Sequence, residues 1–121
     1  MPPEFAVTTY PIDSERHVVA VRGELDLHTA PELKRAIADL IEVGRIRIVL
    51  DLTETTFLDS AALGVLIGAA KWLRSRLGEI AIVNVDEEIA MTFEVTALDQ
   101  IFMVVPTRHE AIEAVTPAKV T

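Results

Sequence analysis

The stretch FLDSAALGVL, Phe57–Leu66, sets one Asp-Ser pair between two apolar runs. Upstream, RIRIVLDL (45–52) is short, β-branched and nearly all apolar in its second half, which suits a central strand covered on both faces. Downstream, ALGVLIGAAKWL reads as a helix that runs from about Ser60 to Leu77 and stops at Gly78. The carboxylate of Asp59 and the hydroxyl of Ser60 therefore fall where a strand turns into a helix. In a parallel sheet that junction is the carboxyl edge, where binding sites gather.

Working outward, the elements alternate. FAVTTYPI (5–12) and HVVAVRGEL (17–25) read as two strands around a turn at Asp13-Ser14-Glu15. TAPELKRAIADLIEVG reads as a helix with Thr29 as N-cap, Glu32 completing a capping box and Pro31 in the first turn. Leu33, Ala36, Ile37, Leu40 and Ile41 form its core stripe, and Gly44 is its stop. IAIVNV (80–85) is a fourth strand, followed by a helix capped by Asp86 and reaching about Val95. IFMVV (101–105) is a fifth strand, closed by Pro106. Thr107 and Glu110 repeat the T-x-x-E box and open a last helix. The expectation is one α/β domain over 1–121, core about 5–116, with a mixed, mostly parallel five-stranded sheet and about four helices. The end, PAKVT, reads as a frayed tail.

Composition narrows the function. Eleven Lys and Arg against nineteen Asp and Glu give a net charge of −8, which disfavours nucleic acid and anionic membrane as partners. There are no cysteines, so disulfides and thiolate metal sites are out, and a reducing cytoplasm suits the chain. No apolar run nears the ~20 residues that span a bilayer. MPPEFAVTTY has no basic region followed by an apolar one, so a signal peptide is not expected. No histidine pair stands at ligand spacing, so neither metal nor cofactor is expected.

At the junction, Ser60 reads as the N-cap of the second helix. The same place could accept a phosphate, because a helix start offers free N–H groups and the positive end of the dipole. A phosphate there adds about −1.5 to −2 charges beside Asp59 without unfolding the domain. Around the helix, Ala62, Leu63, Leu66, Ala70, Leu73 and Leu77 read as core. Ser60, Gly64, Ile67, Gly68 and Lys71 share the other side. Two glycines on one helix face cost about 1 kcal/mol each against alanine. Either a partner's close approach or tight packing within the domain would account for them. Trp72 sits on the flank with Val65 and reads as core packing.

With these motifs in order, the chain resembles the STAS-domain family, and within it the anti-sigma factor antagonists. GELD (23–26) ends the second strand, TAPEL (29–33) opens the first helix, and VLDLTETTFLDSAALGVL (49–66) spans the third strand and the junction. TALDQIF (96–102) and EAIEAV (110–115) complete the match, which covers almost the whole chain. The resemblance implies no catalytic activity and a partner-switching role. The antagonist binds an anti-sigma factor that is also a serine kinase and so frees the sigma factor. The kinase phosphorylates the serine after the motif Asp, the complex parts, and a phosphatase resets the cycle. Those residues are Ser60 and Asp59 here, and Glu24 and Asp26 are the acidic pair that helps the kinase contact. Gly64, Ile67, Gly68 and Lys71 complete the expected partner face. The chain departs from the family in Ala61 and Ala62, which leave Ser60 as the one acceptor hydroxyl of the loop itself. The expected state is a monomer or weak dimer.

Two rivals belong to other classes. A hydrolase would use Ser60 with His28 and Asp26, but Ser60 stands between LD and AA, without the G-x-S-x-G elbow. The other is a STAS interaction subunit of a lipid-transport or stress-signalling assembly, in which Ser60 is never phosphorylated.

Overall fold

The computed structural model describes residues 3–117, so residues 118–121 of the expected tail lie outside it. The order is β1 (Ala6–Pro11), β2 (Arg16–Leu25), α1 (Ala30–Glu42), β3 (Arg47–Leu58), α2 (Ser60–Ser75), β4 (Glu79–Val83), α3 (Glu87–Val95), β5 (Met103–Val105) and α4 (Arg108–Ala114). A single sheet runs β1-β2-β3-β4-β5. β1 pairs antiparallel to β2 and every other pairing is parallel, which is the mixed sheet the sequence predicts.

Period-two alternation sorts the strands between two cores. Val19, Val21, Leu25, Ile48, Leu50, Leu52, Ile80 and Ile82 pack with the inner faces of α1, α2 and α3. On the opposite face Val18, Val49, Ala81 and Val83 meet Ala111 of α4 and Val115, the residue that follows its last turn. Removing each large aliphatic side chain from water contributes about 1.5–3 kcal/mol. The short α4 is pinned by ion pairing as well: Arg108 Nε donates to Asp51 Oδ2 at 2.5 Å, and its guanidinium lies 5.2 Å from the Tyr10 ring centroid.

β3 is longer than the apolar run predicts. It passes through the polar residues Thr53–Thr56 and ends at Leu58. Two bulges against β2 explain this: Ala20 and Arg22 pair with Asp51 and Glu54, and Gly23 and Glu24 pair with Thr55 and Phe57. Each bulge inserts one extra residue in β3 and increases its twist. Thr55 is buried because its hydroxyl donates to the Val21 carbonyl at 3.0 Å. The last strand is shorter than expected, because Leu98–Gln100 form a 3₁₀ turn before Met103.

The helix ends carry two further differences. At the end of α1, Gly44 has φ of +84°, its N–H donates to the Ile41 carbonyl and that of Arg45 to the Leu40 carbonyl, a Schellman closure. α2 closes the same way, but the left-handed residue is Leu77, with φ of +62°, and not Gly78. Leu77 is therefore 84% exposed, which corrects its assignment to the core. Gly78 is required for a different reason: a Cβ there would collide with the Ile46 carbonyl oxygen.

Candidate functional site

The β3–α2 junction forms around Asp59. It is extended, with φ −111° and ψ −176°, and it is the N-cap of α2; its Oδ1 accepts from the Ala62 amide at 3.0 Å. This corrects the sequence reading, which gave the cap to Ser60. Ser60 is instead the first helical residue, exposed, and among the described residues no hydrogen bond engages its hydroxyl. The physical reason is one of position: only the residue with extended backbone just outside the helix can fold its side chain back onto the first-turn amides.

The second oxygen of Asp59 ties the junction to the β2–α1 loop, accepting from the Leu27 amide at 2.9 Å. The Asp59 amide in turn donates to the Leu25 carbonyl. GELD and the serine loop, about thirty residues apart in sequence, are thus joined at one edge of the sheet by one backbone bond and one bond from a backbone amide to the Asp59 carboxylate.

Asp26 organises that loop. Its Oδ1 accepts from the amides of His28 at 2.9 Å and Thr29 at 3.1 Å, and from the Thr29 hydroxyl at 3.2 Å. Partial burial pushes its pKa up, but the bonds from His28 and Thr29 outweigh that and hold the carboxyl below the ordinary aspartate value. Thr29 does not make the expected capping box with Glu32. Its backbone is helical, and its hydroxyl accepts from the Asp26 amide and donates to the Glu24 carbonyl, each at 2.8 Å. Asp86 and Thr107 do cap α3 and α4 as the sequence predicts.

The Glu24 side chain is exposed beside this loop. Leu27, 67% exposed, and Phe57, 49% exposed, frame the junction with apolar surface. On α2, Gly64 and Gly68 are exposed, and a Cβ at either would meet nothing within 4 Å. Tight packing within the domain therefore does not account for the two glycines. They border a groove of about 330 Å³ between α1 and α2, with Ile37, Val65 and Trp72 in its walls and Lys34 at its rim. Lys71 is exposed on the outer side of α2. Ile67 is not on the smooth face; it is half-buried and packs against the core. Trp72 is also half-buried against the core, as read from the sequence.

Among the described residues no side-chain hydrogen bond joins His28 to Ser60 or to Asp26, as a hydrolase triad would need. Asp26 accepts from the main-chain N–H of His28 and not from its imidazole. No group of three or more metal-ligating side chains comes together among the described residues. Nor is any helix among them long and apolar enough to cross a membrane. The Leu27 amide was invisible in the sequence because it acts through its backbone, which no residue type announces.

The model of the STAS domain matches residues 8–111. An anti-sigma-B factor antagonist of Listeria monocytogenes is 36% identical over 89 residues, 74% of this chain and 78% of that protein. One from Staphylococcus aureus is 34% identical over 86 residues, 71% of this chain and 80% of that protein. A crystal structure of an anti-sigma factor antagonist from Mycobacterium paratuberculosis superimposes with a TM-score of 0.80 at 29% identity, covering 93% of this chain and 94% of its own. An antiparallel edge strand on an otherwise parallel sheet, an Asp-capped helix at its carboxyl edge and this extent of matching sequence have one conclusion: the chain belongs to the STAS-domain family.

Proposed function

We propose that this protein is an anti-sigma factor antagonist that works by partner switching, with Ser60 as its phosphorylated residue. It binds an anti-sigma factor that is also a serine kinase, and so frees a sigma factor for transcription. The kinase transfers the γ-phosphoryl of ATP to the Ser60 hydroxyl, and the phosphorylated antagonist leaves. A phosphatase hydrolyses the phosphate and restores binding.

The observation that carries this reading is the division of labour between Asp59 and Ser60. Asp59 makes the helix cap, so Ser60 is exposed and its hydroxyl is not needed to hold α2. A phosphate on that hydroxyl leaves the cap bond in place. It brings roughly two negative charges to a surface that already holds Asp59, Asp26 and Glu24. A partner matched to the unmodified surface then meets like charge and added bulk. Glu24, the free oxygen of Asp26, Gly64, Gly68 and Lys71 form the contact surface in this reading, while Asp59 and Ile67 hold it in shape. The names of the Listeria and Staphylococcus relatives favour the same role, a regulator and not an enzyme.

The test is to incubate the protein with its cognate kinase and ATP and to map the modified peptide by mass spectrometry. Phosphate on Ser60, with loss of kinase binding, is the expected result. Stoichiometric phosphate on Thr55 or Thr56 with Ser60 bare, or a native protein never phosphorylated at Ser60, would overturn the reading in favour of a non-phosphorylated interaction subunit.

A further inference from the structure

We propose that the groove between α1 and α2 receives helix α3 of a second copy of this chain, so that the protein self-associates head to tail. Two features that the domain itself leaves unexplained are complementary in shape and charge.

The first is the groove. Its walls are apolar, through Ile37, Val65 and Trp72, and it lies open at Gly64 and Gly68. A Cβ at either glycine would meet nothing within 4 Å, so the backbone of α2 is accessible to an approaching helix. Lys34 stands on the α1 side and Lys71 on the outer side of α2. Among the described residues neither lysine forms an ion pair. From Ser60 to Arg76, in a chain of net charge −8, there is no carboxylate at all, while Lys71, Arg74 and Arg76 are cationic.

The second is the outer face of α3. Met91 and Val95 are 63% and 79% exposed and lie one turn apart, forming an apolar ridge. At about 100° per residue, Glu87 and Glu94 fall on one side of that ridge and Glu88 on the other. Among the described residues none of the three carboxylates is in an ion pair. An apolar ridge flanked by carboxylates thus faces outward, and an apolar groove flanked by lysines is available elsewhere on the same chain.

The lengths agree. At 1.5 Å per residue, α3 is ~14 Å long and the groove wall from Ala61 to Trp72 is ~18 Å, long enough to hold it. Ridge and groove occupy different surfaces, so each copy that uses its ridge still offers its groove. Such a contact is heterologous and propagates unless a rotation closes it. One helix in one groove falls short of the roughly 1,000 Å² of a durable interface, so the association is weak and concentration-dependent. A copy seated here also covers Gly64 and so competes with the kinase.

Sedimentation equilibrium from low micromolar to millimolar protein tests this without kinase or ATP, so its failure leaves the Ser60 reading untouched. The wild-type average mass should rise with concentration past that of a dimer. Lys34→Glu/Lys71→Glu spoils the groove, and Met91→Lys/Glu94→Lys spoils the ridge; each double variant alone should stay monomeric. An equimolar mixture should form a heterodimer and stop there, because one variant keeps an intact ridge and the other an intact groove. All four side chains are exposed, so melting curves should stay near wild type. Should a double variant unfold, Lys71→Glu and Glu94→Lys singly serve the same comparison. A wild type that remains monomeric throughout, one that halts at a dimer, or a mixture that stays monomeric would overturn the proposal.

Discussion

Asp59 and Leu27 are joined by a bond of 2.9 Å from the Leu27 amide to Asp59 Oδ2, while Asp59 Oδ1 holds the Ala62 amide at 3.0 Å. One carboxylate therefore fixes both the start of α2 and the loop that follows β2. Asp59→Ala removes both bonds and should cost about 1–2 kcal/mol by urea denaturation. Asp59→Asn keeps one acceptor oxygen and should lose about half as much. Wild-type stability in Asp59→Ala would mean that neither bond matters.

Ser60→Ala has a different expected outcome. The cap belongs to Asp59, so this substitution should change stability by no more than about 0.5 kcal/mol. Ser60→Asp places a carboxylate in the first turn, where the helix dipole favours it, and should be at least as stable as Ser60→Ala. Under the proposed function, Ser60→Ala binds the kinase whether or not ATP is present, and Ser60→Asp binds more weakly. Melting curves and binding isotherms on the same preparations separate the two effects. Equal affinity for wild type and Ser60→Asp would show that one negative charge does not repel the partner.

Gly64→Ala and Gly68→Ala should each raise stability by about 0.5–1 kcal/mol, since a helix prefers alanine and a Cβ at either position enters open space. Gly78→Ala should do the opposite, because the Ile46 carbonyl oxygen occupies the space its Cβ needs. Thermal melts of the three variants suffice. If Gly64→Ala and Gly68→Ala instead destabilise the fold, the glycines serve packing within the domain.

His17 sets an expected pH dependence. Burial, helped by the Arg45 charge, holds its pKa below the ordinary 6.5, and its Nδ1 is buried without a partner. Between that depressed value and 6.5 the unfolded chain binds more protons than the folded one. Stability from this group is therefore fully present above 6.5 and falls as pH drops through the window. Asp26 and Asp51, held below the aspartate value of 3.8, release their contribution only in stronger acid. His17→Phe should flatten the stability profile just below pH 6.5 and leave the acid limb unchanged. Urea midpoints across that range would reveal an unchanged slope if the idea is wrong.

Much of the fold was legible because its signals are local. The apolar alternation of HVVAVRGEL, the core stripe from Leu33 to Ile41 and the caps at Asp86 and Thr107 all lie within single elements. The polar half of β3 was not legible. Thr53–Thr56 look like a loop, and only pairing with β2 through two bulges makes them a strand. Leu77 misled for a related reason: a leucine at helical spacing reads as core, yet the Ile46 contact reserves the glycine for the next position and forces the left-handed turn onto Leu77.

The same division holds at the site. By itself the sequence determined that an Asp-Ser pair lies between a buried strand and a helix, that GELD closes the preceding strand, and that two glycines share a face of that helix. These are matters of order and spacing along one chain. Only the tertiary structure decided that Asp59 and not Ser60 is the cap, that Asp26 is occupied by its own loop, that Ile67 leaves the glycine face for the core, and that Leu27 reaches Asp59. The cap depends on the backbone dihedrals of Asp59 and the Asp26 bonds on the shape of one short loop, while the burial of Ile67 and the Leu27–Asp59 bond depend on through-space packing of segments distant in sequence; a hydrogen bond is decided by tenths of an ångström that no spacing in sequence encodes.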